Sequence, residues 1–215
     1  MRFKYCILSV YVILIVVYFS ACKSNTEPGG QQSEIESSII DGWTKFLDQN
    51  YDDAISIFRD AATKETSDKN QAIIRTGLGW SMAYKAKGSG LKDQGYLESI
   101  QQFEKAMELD TTYLNSYAGA CLVYNVRNSY QESVESGDIV IAKQQEYQFK
   151  PLADRASLLD YRHIRLALAE SSFYLGNYEQ VVEQLDIIDP GVTHDMQDPE
   201  GLMERIRVVT VQLNQ

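Results

Sequence analysis

Residues 96–124 read YLESIQQFEKAMELDTTYLNSYAGACLVY. Ser99, Ile100, Phe103, Ala106 and Met107 fall at i, i+1, i+4, i+7 and i+8, which is one face of an amphipathic helix. Leu109-Asp110-Thr111-Thr112 interrupts the pattern, and Asp110 or Thr111 can cap the next helix. Tyr117, Ala120, Cys121 and Tyr124 then resume it, mixing aromatic with small residues. Two such helices joined by a turn cannot bury their own apolar faces, so the flanking chain has to supply neighbours.

Working outward, the same pattern recurs on both sides. Upstream, Ile35, Ile39, Gly42, Trp43, Phe46 and Leu47 form one helical face, Asn50-Tyr51 a turn, and Ala54, Ile55, Phe58, Ala61 and Ala62 a second face. Another helix opens around Ala72 and carries Gly77, Leu78, Gly79, Trp80 and Tyr84, so that Gly79-Trp80 repeats Gly42-Trp43 after 37 residues. Glycine inside a helix is unfavourable by about 1 kcal/mol against alanine, which points to close packing there. Gly88-Ser89-Gly90 and Gly95 mark an enlarged loop before the opening stretch. Downstream, a pair starts near Leu114, and its second helix begins at Tyr130 with Ser133 and Val134. The match fades at Gly137. From Asp138 to Leu159 the chain reads as a lengthened helix, a break at Lys150-Pro151 and a new start near Asp154. Ile164, Leu168, Ala169, Phe173 and Tyr174 form the next helix, Gly176-Asn177-Tyr178 a turn, and Val181, Val182, Leu185 and Ile188 its partner. Pro199 suits the first turn of a last helix lined by Leu202, Ile206, Val209 and Leu213.

This order of residues resembles the tetratricopeptide repeat, a helix-turn-helix unit with the pattern W-x2-L-G-x2-Y, then A-x3-F, then P. Leu78-Gly79 matches its L-G, Ala54 and Phe58 match A-x3-F, Ser99 and Phe103 stand for that pair in the next repeat, and Thr111 replaces the Pro. The resemblance implies an all-α fold over residues 34–215, a right-handed α-solenoid of about four helix pairs closed by a C-terminal capping helix. In the family, the first helices of successive units line a groove that takes an extended or helical peptide. Carried over, the groove residues here are Trp43, Phe46, Trp80, Tyr84, Leu122, Asn125, His163, Glu170 and Phe173. The bland alternatives are that these aromatics only pack the helix pairs, or that a terminal segment folds back over them.

The N-terminus is a separate element. Arg2 and Lys4 precede a thirteen-residue, mostly apolar run, Ile7 to Phe19, and small residues lead to Cys22. Residues 1–21 therefore read as a secretory signal peptide. Phe19-Ser20-Ala21-Cys22 resembles the lipobox of bacterial lipoproteins, which implies a lipid-modified Cys22 after cleavage. An uncleaved membrane anchor is the other reading, since Tyr5 to Cys22 is just long enough to span. Either places the rest of the chain in the periplasm or outside, because the positive flank stays inside. Residues 22–33, polar and containing Pro28-Gly29-Gly30, read as a flexible tether.

Composition narrows the function. Net charge is −10, and removal of Arg2 and Lys4 leaves 18 basic against 30 acidic residues, a net −12. So acidic a surface gives nucleic acid and anionic lipid nothing to bind, and membrane attachment then needs the lipid. Cys121 is the one cysteine beyond the N-terminal segment, which rules out an internal disulfide framework. No phosphate-binding loop, zinc-protease motif, C-x-x-C or nucleophile elbow occurs, so no enzyme, cofactor or metal is expected. His163 and His194 have no second ligand at metal spacing and read as surface or partner-facing residues. The expectation is a protein-binding scaffold on a bacterial envelope membrane. The alternatives are an assembly factor handling outer-membrane or unfolded proteins, and, less favoured, a helical hydrolase or sugar-binding protein.

Overall fold

The structure, a computed structural model, describes residues 28–64, 66–90 and 92–213, with side chains from residue 32 onward. The signal peptide and Cys22 lie outside the described residues. The chain divides into two compact units, Met1–Glu34 and Ile35–Gln215. Of the first, only the start of one helix is described; the contacts below belong to the second.

In chain order the helices are α1 (Pro28–Leu47), α2 (Tyr51–Ala61), α3 (Asp68–Lys87), α4 (Lys92–Leu109), α5 (Leu114–Val126), α6 (Tyr130–Lys143), α7 (Tyr161–Tyr174), α8 (Tyr178–Ile188) and α9 (Pro199–Leu213). They form four pairs, α1/α2 to α7/α8, with α9 packed on α7 and α8. The first helices also touch one another, α3 with α5 and α5 with α7, and form one face of the stack, called here the inner face. Among the described residues no helix is long and apolar enough to cross a membrane.

Three of the four turns within pairs are built alike. Gln49-Asn50-Tyr51, Asn128-Ser129-Tyr130 and Gly176-Asn177-Tyr178 each begin with a left-handed residue, at φ 61°, 62° and 75°. The Asn50 and Asn177 side chains then accept a backbone N–H from the first turn of α2 and α8. The phenylalanines of the A-x3-F pattern hold neighbouring pairs together. A Cβ on Gly42 would stand 2.6 Å from the Phe58 ring, and one on Gly77 in the next pair would strike the same ring. Phe103 sits likewise between Gly79, at 2.8 Å, and Gly119. Both rings are fully buried, each stabilising the stack by about 1.5–3 kcal/mol.

The third pair solves the problem in reverse. Where α6 has Gly137 in place of a phenylalanine, Leu168 of α7 reaches in, 2.7 Å from where a Cβ would be. Hydroxyls cross the same junction. Ser171 donates to Ser133 at 2.9 Å, and Ser133 donates to the Cys121 carbonyl at 3.0 Å.

Four local expectations are corrected. Helix α1 begins at Pro28, inside the stretch read as flexible tether, with Pro at a helical first position. Gly95 lies within α4 rather than in the loop, where it lets α4 approach Ala86. Asp110 closes its own turn by accepting from Thr112, and α5 starts at Leu114 without a side-chain cap. The lengthened helix and the new start near Asp154 are absent. Helix α6 stops at Lys143, and residues 144–160 form a strap whose ends pair as β1 (Gln148–Phe149) and β2 (Leu159–Asp160), antiparallel, with Gln148 opposite Asp160. Helix α7 starts at Tyr161 because Asp160 and His163 make a reciprocal capping box.

Candidate functional site

The strap decides what the inner face can do. Phe149 inserts between the two tryptophans of the chain, 5.5 Å from Trp43 edge-on and 5.9 Å from Trp80 nearly stacked. Tyr147, beside it, is fully buried and donates its hydroxyl to Asn115 Oδ1 at 2.7 Å. Trp43, Phe46 and Trp80 are therefore 1%, 2% and 3% exposed. The expectation that they stand open to a partner is corrected: Trp43 and Trp80 are core residues beneath a cover, and Phe46 is buried against Trp43, Tyr51 and Tyr84. The cover comes from the middle of the chain and not from a terminus.

Beyond the strap the inner face opens. A cleft of about 290 Å³ lies among α3, α5, α7 and α9. It brings together Trp80, Tyr84, Leu122, Asn125, His163 and Glu170 from the residues picked out of the sequence, and adds Lys87, Tyr96, Val126, Leu166, Thr210 and Leu213. Leu166 was readable, since it lies one turn after His163 and before Glu170 on the same helix face. Thr210 and Leu213 were not, because nothing in the repeat pattern says which first helix the last helix reaches.

Three of the lining residues are fixed by contacts with the structure around the cleft. Asn125 donates to the Ala167 carbonyl at 3.4 Å and to Ser171 Oγ at 3.1 Å, which ties α5 to α7 at the floor of the cleft. His163 Nδ1 accepts the Asp160 backbone N–H at 3.2 Å, so the ring is fixed by the cap that starts its helix. Tyr84 packs on Phe46, Tyr51 and Trp80, and burial pushes its phenol above the ordinary range. The indole N–H of Trp80 is buried and has no acceptor among the described residues. The walls are mostly aliphatic and aromatic, with Lys87, His163 and Glu170 as the basic and acidic side chains. Such a lining suits an apolar group with a few directed polar contacts.

The other candidates fall elsewhere. Phe173 does not line the cleft; it packs against Tyr174 and Tyr178 in a second core cluster around Val181, Leu185, Leu202 and Ile206. His194 is not a surface residue. Its side chain is buried, with Nδ1 2.7 Å from Asp186 Oδ1 and Nε2 3.3 Å from Asp189 Oδ2. Arg205 joins Asp189 at 2.5 Å, so this group pins α9 to α8. A larger cavity, about 370 Å³, lies between α2, α3 and α4 and collects none of the sequence candidates. Two of its charged walls, Lys85 and Asp52, are paired with each other. Cys121 is fully buried beside Ser133, and burial pushes its thiol up to about 12, which leaves no thiolate for chemistry near neutral pH. Among the described residues no cluster of His, Cys, Asp or Glu could hold a metal ion.

No family model and no curated protein matches the chain. Solved structures do. The nearly identical TPR-like repeats assigned to a kinesin light chain of Podosopora anserina align over 85% of this chain and 98% of theirs, at 14% identity and a TM-score of 0.54. A point variant of the same repeats aligns over 85% and 97%, at 15% identity and 0.53. A thermophilic TPR protein of Thermus thermophilus aligns over 82% and 99%, at 12% identity and 0.44. At such identity the first two establish the fold alone: the described chain is an all-α solenoid of tetratricopeptide-like helix pairs.

Proposed function

We propose that this chain is a non-catalytic, protein-binding scaffold whose partner enters the inner-face cleft. We further propose that it is tethered through a lipid on Cys22 to a bacterial envelope membrane, facing the periplasm or the exterior. The observation that carries the reading is the convergence of Tyr84, Leu122, Asn125, His163 and Glu170, chosen from sequence on three separate helices, around one open cleft. Its small volume, and the filled seat beside it, support one defined partner over the handling of many unfolded segments. A partner side chain there would bury its apolar part against Leu122, Leu166 and Val126 and meet charge only at the rim. That distribution gives affinity from the centre and orientation from the edge.

The test is crosslinking and affinity purification of the membrane-tethered chain, compared with a Leu122→Glu, Leu166→Glu variant. A partner recovered with the parent should be lost from the variant. It should be kept by Leu97→Glu, which adds charge at an exposed leucine on α4. Retention of the partner by the cleft variant would place the binding surface elsewhere.

A further inference from the structure

The strap is bound in a way that differs from the helices around it. From Gln144 to Asp160 it has only two ladder pairs, and most of residues 153–157 is exposed. What holds it down is three buried side chains, Tyr147, Phe149 and Leu159, with half-buried Leu152 and Leu158 packed on the same core and the one hydrogen bond from Tyr147 to Asn115. Phe149 lies on an extended backbone and places one ring in a seat between Trp43 and Trp80. Trp80 also walls the open cleft, so seat and cleft share one wall on the inner face. Trp80, one wall of the seat, keeps a buried N–H without an acceptor among the described residues while Phe149 is in place. A buried donor left unpaired is a standing cost that a different occupant with an oxygen acceptor removes.

We propose that residues 144–160 are a displaceable strap, and that Phe149 occupies from within the chain a seat that a partner's extended segment takes with its own aromatic side chain. The proposal rests on the reading of the inner face as the partner surface and specifies its regulation. With the strap down, the partner reaches only the open cleft. With the strap lifted, cleft and seat form one longer site, and the partner replaces the internal ring with its own while its backbone or side-chain oxygen reaches the Trp80 indole. Binding is then weakened by the closed fraction, as for any site that is competent only part of the time.

Trp43 and Trp80 are the two tryptophans of the chain, so its intrinsic emission reports on this seat. The probe is a synthetic peptide with the strap's own sequence, QQEYQFKPL, residues 144–152. It is titrated into the full chain in detergent and into a Tyr147→Ser, Phe149→Ser variant. The expected result is a saturable change in tryptophan emission for both, at least ten-fold tighter for the variant, which lacks the internal competitor. A peptide with Ser in place of its Phe should bind neither. Saturation of the variant with no response from the parent at a hundred-fold higher peptide would show the strap to be fixed and overturn the proposal. No response from a folded variant would overturn it too. Should the variant not fold, hydrogen exchange on the parent decides. The Leu158 amide, which donates to the Phe149 carbonyl, is expected to exchange at least ten-fold faster than amides midway along α3. Exchange at the common global rate would overturn the proposal. Since these measurements need no partner, their failure leaves the crosslinking result standing, and the converse holds as well.

Discussion

Glycine inside the helices of this chain marks close contact. Gly79 faces Phe103 at 2.8 Å from its missing Cβ, whereas Gly90, in the loop before α4, has nothing within 4 Å. The Phe103 ring is enclosed and cannot swing away. Gly79→Ala is therefore expected to destabilise by about 1–3 kcal/mol through overpacking, and Gly90→Ala to stay within about 0.5–1 kcal/mol of the parent. Denaturant midpoints for the two alanine variants test this, and equal midpoints would refute the assignment. Cys121 supplies a second residue-scale prediction. Burial raises its thiol from an ordinary value near 9 to about 12, so the unfolded chain loses that proton first as pH rises. The stability it contributes is complete below pH 9 and is lost between 9 and about 12, by about 1.4 kcal/mol per pH unit. Burial also raises the Tyr113 and Tyr147 phenols, which adds to the loss in the alkaline range. A Cys121→Ala variant should show a shallower decline of unfolding free energy from about pH 9 to 11. Parallel slopes would mean that the thiol is not enclosed as described.

Elements were legible where the repeat pattern was intact. Ala54/Phe58 and Ser99/Phe103 located α2 and α4, and the Asn-Tyr turns located the starts of α2 and α8. The third pair was harder because its key contact is inverted. Gly137 looks like a failed match until Leu168, from the next helix, is seen to fill its place. The strap was missed for a related reason. Tyr147-Gln148-Phe149 is too short a run to carry a period, and its buried alternation exists only because α1, α3 and α5 lie beneath it. The same absence of long-range information made Trp43 and Trp80 look available. Asp160 and His163 form the capping box that ends the strap and starts α7, a start the sequence reading placed near Asp154 instead. Burial alone would raise the Asp160 carboxyl, but hydrogen bonds from the Arg162 side chain and backbone outweigh it and hold the group below the usual carboxylate range. Asp160→Ala is expected to cost about 0.5–2 kcal/mol, read as a lower denaturant midpoint with faster amide exchange in the first turn of α7. Since the carboxyl is lowered on folding, the cap's contribution is present above the ordinary aspartate range and is lost as pH falls through it. An unchanged midpoint and exchange pattern would show that β2, not the cap, sets the start of the helix.

At the scale of the molecule, the all-α solenoid was readable from four recurrences of one pattern, while the proposed attachment is read from the N-terminal residues alone. Counted without Arg2 and Lys4 the chain carries a net −12, which offers no electrostatic hold on an anionic bilayer. Cys22→Ser is therefore expected to give a folded chain that no longer sediments with membranes after a high-salt wash. Continued sedimentation would identify the apolar segment as an uncleaved anchor.

A stack of helix pairs ordinarily folds as a row of local events, each pair forming on its neighbour with little loop closure. Phe149 breaks that economy. It comes from beyond the third pair yet touches Trp43 in the first helix and Trp80 in the third, so its seat does not exist until α1, α3 and α5 are assembled. The last event in the folding of this chain should accordingly be a slow, long-range closure, visible as a tryptophan phase that lags the gain of helix. While it is made, the same contact links the first pair to the chain that follows the third, where a plain solenoid has contacts only between neighbours.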